Sequence, residues 1–268
     1  MRRIKFSCLI LLLINSSCLG DFDKGESYFN HQQYQKAIRE FNMLLFINMA
    51  DIKSLHFRAR AFEELEDFEK AIADYEKIIS LDPKNALAYA GIGKIHWKTK
   101  DFLSAEKYLL FAASYDDENF DILFMLGRAM LKNQNYKSAD EFLYLAKELK
   151  PTQANVYFYR GIAQANLGDP MGTAAQFNMY LNYEPDNITA YYNRGFAFLK
   201  MGMTEWALED FDKVLEISPG HIEALAKRGV ALLKTNPEQA CLDIQKAAQK
   251  GSAYATNYLD RCNQFTSF

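Results

Sequence analysis

Between Ile188 and His221 the small and apolar residues fall three or four apart in two blocks: Tyr191, Gly195 and Phe198, then Ala207, Phe211 and Val214. That is the period of one face of an α-helix. A break between Leu199 and Thr204, and Pro219 after the second block, predict two helices joined by a short turn. A helix of about a dozen residues is marginal alone in water, because nucleation fixes many dihedrals for one hydrogen bond. The hairpin therefore needs neighbours.

The same pattern recurs every 34 residues. Small residues stand at Gly25, Ala59, Gly93, Gly127, Gly161, Gly195 and Gly229. Twelve positions later come Ala37, Ala71, Ala105, Ala139, Thr173 and Ala207, and four beyond those Phe41, Tyr75, Leu109, Leu143, Phe177 and Phe211. Prolines 83, 151, 185 and 219 close four of the units. Glycine within a helix costs roughly 0.8 to 1 kcal/mol relative to alanine. Its repeated use predicts that the two helices of each hairpin approach too closely there for a side chain.

A 34-residue period of this kind resembles the tetratricopeptide repeat, over nearly the whole chain. The resemblance implies an all-α fold, a right-handed superhelical solenoid of about seven helical hairpins with a C-terminal capping helix. The units are 18–51, 52–85, 86–119, 120–153, 154–187, 188–221 and 222–250, the last one residue short in its turn at Lys234–Pro237. Residues 251–268 form the cap, with Tyr254 and Tyr258 on one helix face, since a solenoid must cover its last apolar surface.

The repeats also serve as their own alignment. Arg58, Arg194 and Arg228 precede the small residue where Asp74, Asp210 and Asp243 precede the later large one, and Lys24 is matched by Glu40. Where the first place is Ile92 or Leu126, the second is Tyr108 or Phe142, while Arg160 faces Gln176. Such exchange predicts that the two places touch within a hairpin, which makes these cations structural ties.

The chain begins with three cations in Met1–Lys5, a short apolar run to Ile14, and Asn15-Ser16-Ser17-Cys18. The run is too short to span a bilayer and reads as a signal peptide, residues 1–17. Small residues before Cys18 resemble a bacterial lipobox, although Asn15 replaces the usual leucine. The expectation is a lipid-anchored protein of the bacterial cell envelope, on the outer membrane or the periplasmic face of the inner membrane. Cys241 and Cys262 then read either as a disulfide fastening the cap or as two buried thiols.

The formal net charge is −3, and no long basic patch suggests nucleic acid. His31, His56, His96 and His221 have no partner at metal-ligand spacing, and no phosphate loop, nucleophile elbow or C-x-x-C pair occurs. Neither metal, cofactor nor enzymatic activity is expected. Paired carboxylates such as Glu63 and Glu64 read as a solvated helix face.

In proteins with these repeats the first helix of each hairpin lines a concave groove, at places one and four after the small residue. Those places imply a cationic ladder of Arg60, Lys94 and Arg128, with His56 nearby, suited to an acidic side chain or a C-terminal carboxylate. They also imply an exposed apolar strip with Phe158, Ile162, Tyr192 and Phe196, and aromatic anchors at Trp97 and Phe124. The function this favours is a scaffold holding an extended peptide or a partner helix. A chaperone for exported clients and a carbohydrate or lipid carrier are the alternatives.

Overall fold

The computed structural model describes residues 20–265, which form helices and turns with no strand among them. The leader and Cys18 lie outside the described residues. Two compact units divide between Asp117 and Glu118. The first holds the hairpins α1 (Phe22–Asn30) with α2 (Tyr34–Ile47), α3 (Ile52–Glu64) with α4 (Phe68–Leu81), and α5 (Ala86–Lys98) with α6 (Phe102–Tyr115). The second holds α7 (Phe120–Lys132) with α8 (Tyr136–Leu149), α9 (Ala154–Leu167) with α10 (Pro170–Leu181), α11 (Ile188–Lys200) with α12 (Thr204–Ile217), and α13 (Ile222–Leu232) with α14 (Pro237–Gln249). Within each unit every helix packs on the next in chain order, as in a solenoid.

The periodic residues fill the space they were expected to fill. Phe41, Tyr75, Leu109, Leu143, Phe177, Phe211 and Ile244 are all buried, each with the alanine or threonine one turn before it. A Cβ on Gly127 would lie 2.5 Å from Leu143 Cγ, and one on Gly93 would lie 2.7 Å from Leu109 Cγ. Close approach therefore offsets the helical cost of glycine here.

The turns inside the hairpins hold a second 34-residue register that the hydrophobic pattern hides. Gln32, Glu66, Lys100 and Gln134 have φ between 59° and 64°, and Gly168 and Gly202 have φ of 75° and 76°. Each stands at the same place in its hairpin, and a residue with a Cβ pays about 1 kcal/mol for that conformation. The seventh turn, one residue shorter, has no positive-φ residue, and its Pro237 opens α14.

The arginine ties form as expected and reach further. Arg58 donates to Asp74 at 2.8 and 2.6 Å, Arg194 to Asp210 at 3.0 and 2.7 Å, and Arg228 to Asp243 at 2.7 and 3.0 Å. Lys24 meets Glu40 at 2.9 Å. Each arginine also donates to the preceding hairpin, at Asn42 (2.6 Å), Asn178 (3.0 Å) and Asp212 (2.6 Å) respectively. One guanidinium thus fastens three helices, which its planar fork of donors permits. Arg160 departs from expectation: it donates to Asp140 of the preceding hairpin at 2.8 Å rather than meeting Gln176.

The expected single capping helix is two short ones, α15 (Ala253–Thr256) and α16 (Leu259–Phe265). Ala255 is buried, and Tyr254, Tyr258 and Leu259 pack on the core that Phe211, Val214, Leu225 and Ile244 form. Cys241 and Cys262 are joined by a disulfide, Cα–Cα 5.2 Å, that ties α16 to α14. No helix among the described residues is long and apolar enough to cross a membrane.

Candidate functional site

In the first unit the cations do not form a free ladder. Glu63, expected on a solvated face, is only 1% exposed. Its carboxylate accepts from the Tyr75 hydroxyl and lies 3.0 Å from Lys94 Nζ. A carboxylate out of water must be paired, and Lys94, its side chain still 41% exposed, supplies the charge. Tyr75 reaches this position because Gly91 on α5 leaves room for its ring, where any Cβ would collide. Burial, with Glu63 alongside, pushes the Tyr75 phenol far above its ordinary range.

His56 is also not a cation of the ladder. Its ring packs edge-on against Tyr75 at 5.8 Å between centroids. Burial first, and the Arg60 charge second, push its pKa down from 6.5 to about 4. The unfolded chain therefore takes up this proton before the folded one does, and stability falls as pH drops from about 6.5 towards 4. The expected loss over that window is roughly 2–3 kcal/mol, read from denaturant midpoints. His56→Leu should flatten the slope, and an unchanged slope would sink the assignment.

Arg60 faces solvent. It is exposed, with its guanidinium 4.6 Å from the Phe29 ring centroid and 5.5 Å from that of Phe57. Stacking fixes the plane while leaving N–H groups at the edge for an acceptor. Trp97 stands edge-on to Phe102 at 5.1 Å.

In the second unit Phe124 stacks on Phe120 at 5.5 Å and meets Tyr159 edge-on at 5.6 Å. The Arg128 guanidinium lies 5.0 Å from the Tyr159 centroid and 5.5 Å from that of Phe124. Phe158, Ile162, Tyr192 and Phe196, expected as an exposed strip, are each half-buried. Phe158 rests on Phe177 at 5.8 Å and Tyr180 at 5.1 Å, and Ile162 joins the same cluster. Tyr192 is held between Phe211 and His221, and burial with Glu223 nearby pushes its phenol up to about 12. Phe196 borders a pocket of about 200 Å³ shared with Ala165, Asn166, Pro170, Thr173 and Lys200.

The sequence reading missed Lys227. It is 6% exposed, and its ammonium sits 4.1 Å from the Phe196 centroid and 3.8 Å from that of Tyr254, with no ion pair among the described residues. Burial holds its pKa below the ordinary lysine value, against the pull of Glu223. A signal was available: the place two before the small residue carries Asp23, Phe57, Gly91, Met125, Tyr159 and Asn193, and a cation only here. The described residues contain no cluster of three His, Cys, Asp or Glu side chains able to hold a metal.

Comparison with known proteins follows the same geometry. Models described as Tetratricopeptide repeat match residues 188–221 and 93–154, and one described as TPR repeat matches 59–100. Among curated proteins, an Hsp70-Hsp90 organizing protein of Triticum aestivum is 28% identical over 101 residues, 38% of this chain and 17% of its own. Tetratricopeptide repeat protein 12 of Homo sapiens is 35% identical over 88 residues, 32% of this chain and 12% of its own. The chain thus spans less than a fifth of the length of these relatives. Among solved structures, YrrB, described as a TPR protein with an unusual peptide-binding site, is 29% identical, with a TM-score of 0.67, over 70% of this chain and 97% of that one. The C-terminal part of a TPR repeat-containing protein from Cytophaga hutchinsonii is 19% identical, with a TM-score of 0.64, over 89% and 99%, a likeness of fold alone. Sequence period, helix pairing and these matches converge: the chain carries tetratricopeptide repeats, matched at residues 59–154 and 188–221, in an all-helical fold.

Proposed function

We propose that this chain is a non-enzymatic scaffold, tethered to a bacterial membrane through an acyl group on Cys18, that holds an extended peptide or one helix of a partner protein. One observation carries the binding half: Phe158, Ile162, Tyr192 and Phe196 come from the first helices of consecutive hairpins and are half-buried. Rings already fixed by packing lose little conformational freedom when a ligand covers their remaining faces. In the first unit, Arg60, stacked and exposed, separately suits an acidic group. The peptide-binding site named for YrrB, at 29% identity, supports this reading.

The tether rests on the basic start, the short apolar run and Cys18. The disulfide between Cys241 and Cys262 supports it, because such bonds persist in oxidising compartments such as the periplasm.

A photo-crosslinking amino acid placed at Phe196 in living cells is expected to trap a protein, while one at the exposed Glu209 on the second helix of a hairpin traps none. Phe158→Ala should weaken that partner's binding about tenfold or more, with helix content unchanged by circular dichroism. Equal capture at both positions would defeat the groove.

A further inference from the structure

An apolar patch lies where the first hairpin passes to the second. Phe46, Ile47 and Met49 are 90%, 62% and 75% exposed. The repeat puts a large apolar residue in the place of Ile47, at Leu81, Tyr115, Leu149, Tyr183 and Ile217, but does not require Phe46 or Met49. In the place of Phe46 the next five hairpins carry Ser80, Ser114, Glu148, Asn182 and Glu216, and in the place of Met49 they carry proline or aspartate. Residues 41–50 contain no charge, whereas the corresponding stretch of each of those hairpins contains at least one. Apolar surface left in water at several adjacent positions marks a contact site.

The course of the chain indicates what covers it. Gly20 lies against the end of α2, where a Cβ would meet the Glu40 carbonyl oxygen at 2.6 Å and Leu44 Cγ at 2.9 Å. The Asp21 N–H donates to the Glu40 carboxylate at 3.3 Å. Cys18, two residues earlier, therefore reaches no more than about 7 Å from Gly20. Phe46 stands two positions past Leu44, a rise of about 3 Å along the helix and about 200° around it, in the last turn of α2 before the chain leaves the helix.

We propose that Phe46, Ile47 and Met49 insert into the lipid surface beside Cys18, so that the link from the first hairpin to the second and the acyl group form a two-point membrane anchor. The proposal rests on the lipid tether put forward above and adds the face that meets the membrane. Membrane attachment grows with the apolar surface buried in lipid, so a second apolar contact adds to the hold of the lipid on Cys18 and fixes which face of the protein meets the membrane. An uncharged stretch suits that role, because a charge brought to the lipid would have to be stripped of water.

The test uses the full chain, made in a bacterium and reconstituted in vesicles of phosphatidylethanolamine and phosphatidylglycerol that carry a photoactivatable phospholipid. The mass of the N-terminal peptide reads the tether, and the crosslink map reads the patch. Crosslinks at residues 46–49 are expected. In a Cys18→Ser background, Phe46→Ser with Met49→Ser should lower vesicle partitioning about tenfold or more. Both side chains are exposed, so folding is undisturbed. An acylated N-terminus without crosslinks at 46–49, or unchanged partitioning, overturns the patch and leaves the tether standing. Crosslinks at 46–49 without an acyl mass overturn the tether and with it the two-point anchor. A lipid-free dimer that the double variant dissolves assigns the patch to a second copy and also overturns the proposal.

Discussion

Breaking the Cys241–Cys262 bond, by reduction or by Cys241→Ser with Cys262→Ser, is expected to lower the stability of the last hairpin and its cap by about 3 kcal/mol. That is the chain-entropy value for a closed loop of this length, about twenty residues. The effect should be local. Each hairpin of a repeat array leans mainly on its neighbours, so the end can open before the rest. The cap is short, since α15 and α16 have few residues over which to bury apolar surface, and the bond joins α16 to α14. Hydrogen exchange should quicken over residues 237–265 well before it does over α9 to α11. Tyr254 would leave Lys227 at the same time, removing one of the two rings that flank its ammonium. Thermal melts that coincide for the oxidised and reduced protein would show that packing alone holds the cap.

Lys94→Met is expected to destabilise the first unit by about 3 kcal/mol, the order found when one partner of a buried ion pair is removed. Glu63 would keep its hydrogen bond from Tyr75 and lose its counter-charge. The partial exposure of Lys94 would let water offset part of this, and the apolar methionine cannot. Adding Glu63→Gln should restore most of the loss, because an amide buried beside the Tyr75 hydroxyl needs no cation. Urea midpoints for the two single variants and the double variant form a cycle, and strict additivity would mean that the pair does not interact. The same measurement separates roles, since a lysine reserved for an anionic ligand could be replaced without loss of stability.

Much of the architecture could be read from residue order because a repeat states its rule several times over. One glycine in a helix says little; glycine or alanine at 25, 59, 93, 127, 161, 195 and 229 says that backbones meet there, and Leu109 and Leu143 lie where a Cβ would go. Exchange between paired places likewise identified the Arg58–Asp74, Arg194–Asp210 and Arg228–Asp243 ties. Their second links, to Asn42, Asn178 and Asp212, went unread because those partners belong to the hairpin before.

The binding face was legible only in outline. Residue order placed Arg60, Lys94, Phe158 and Phe196 on first helices. It could not say that Lys94 answers a buried Glu63, that His56 lies neutral against Tyr75, or that Lys227 is enclosed by two rings. The period of an α-helix and the steric demand of a close helix pair are local and repeat with the chain, so the sequence by itself determined hairpins, turns and core. Desolvation and charge pairing depend on atoms brought together from different hairpins. Only the tertiary structure decided which cations are consumed by the fold and which of them still face outward.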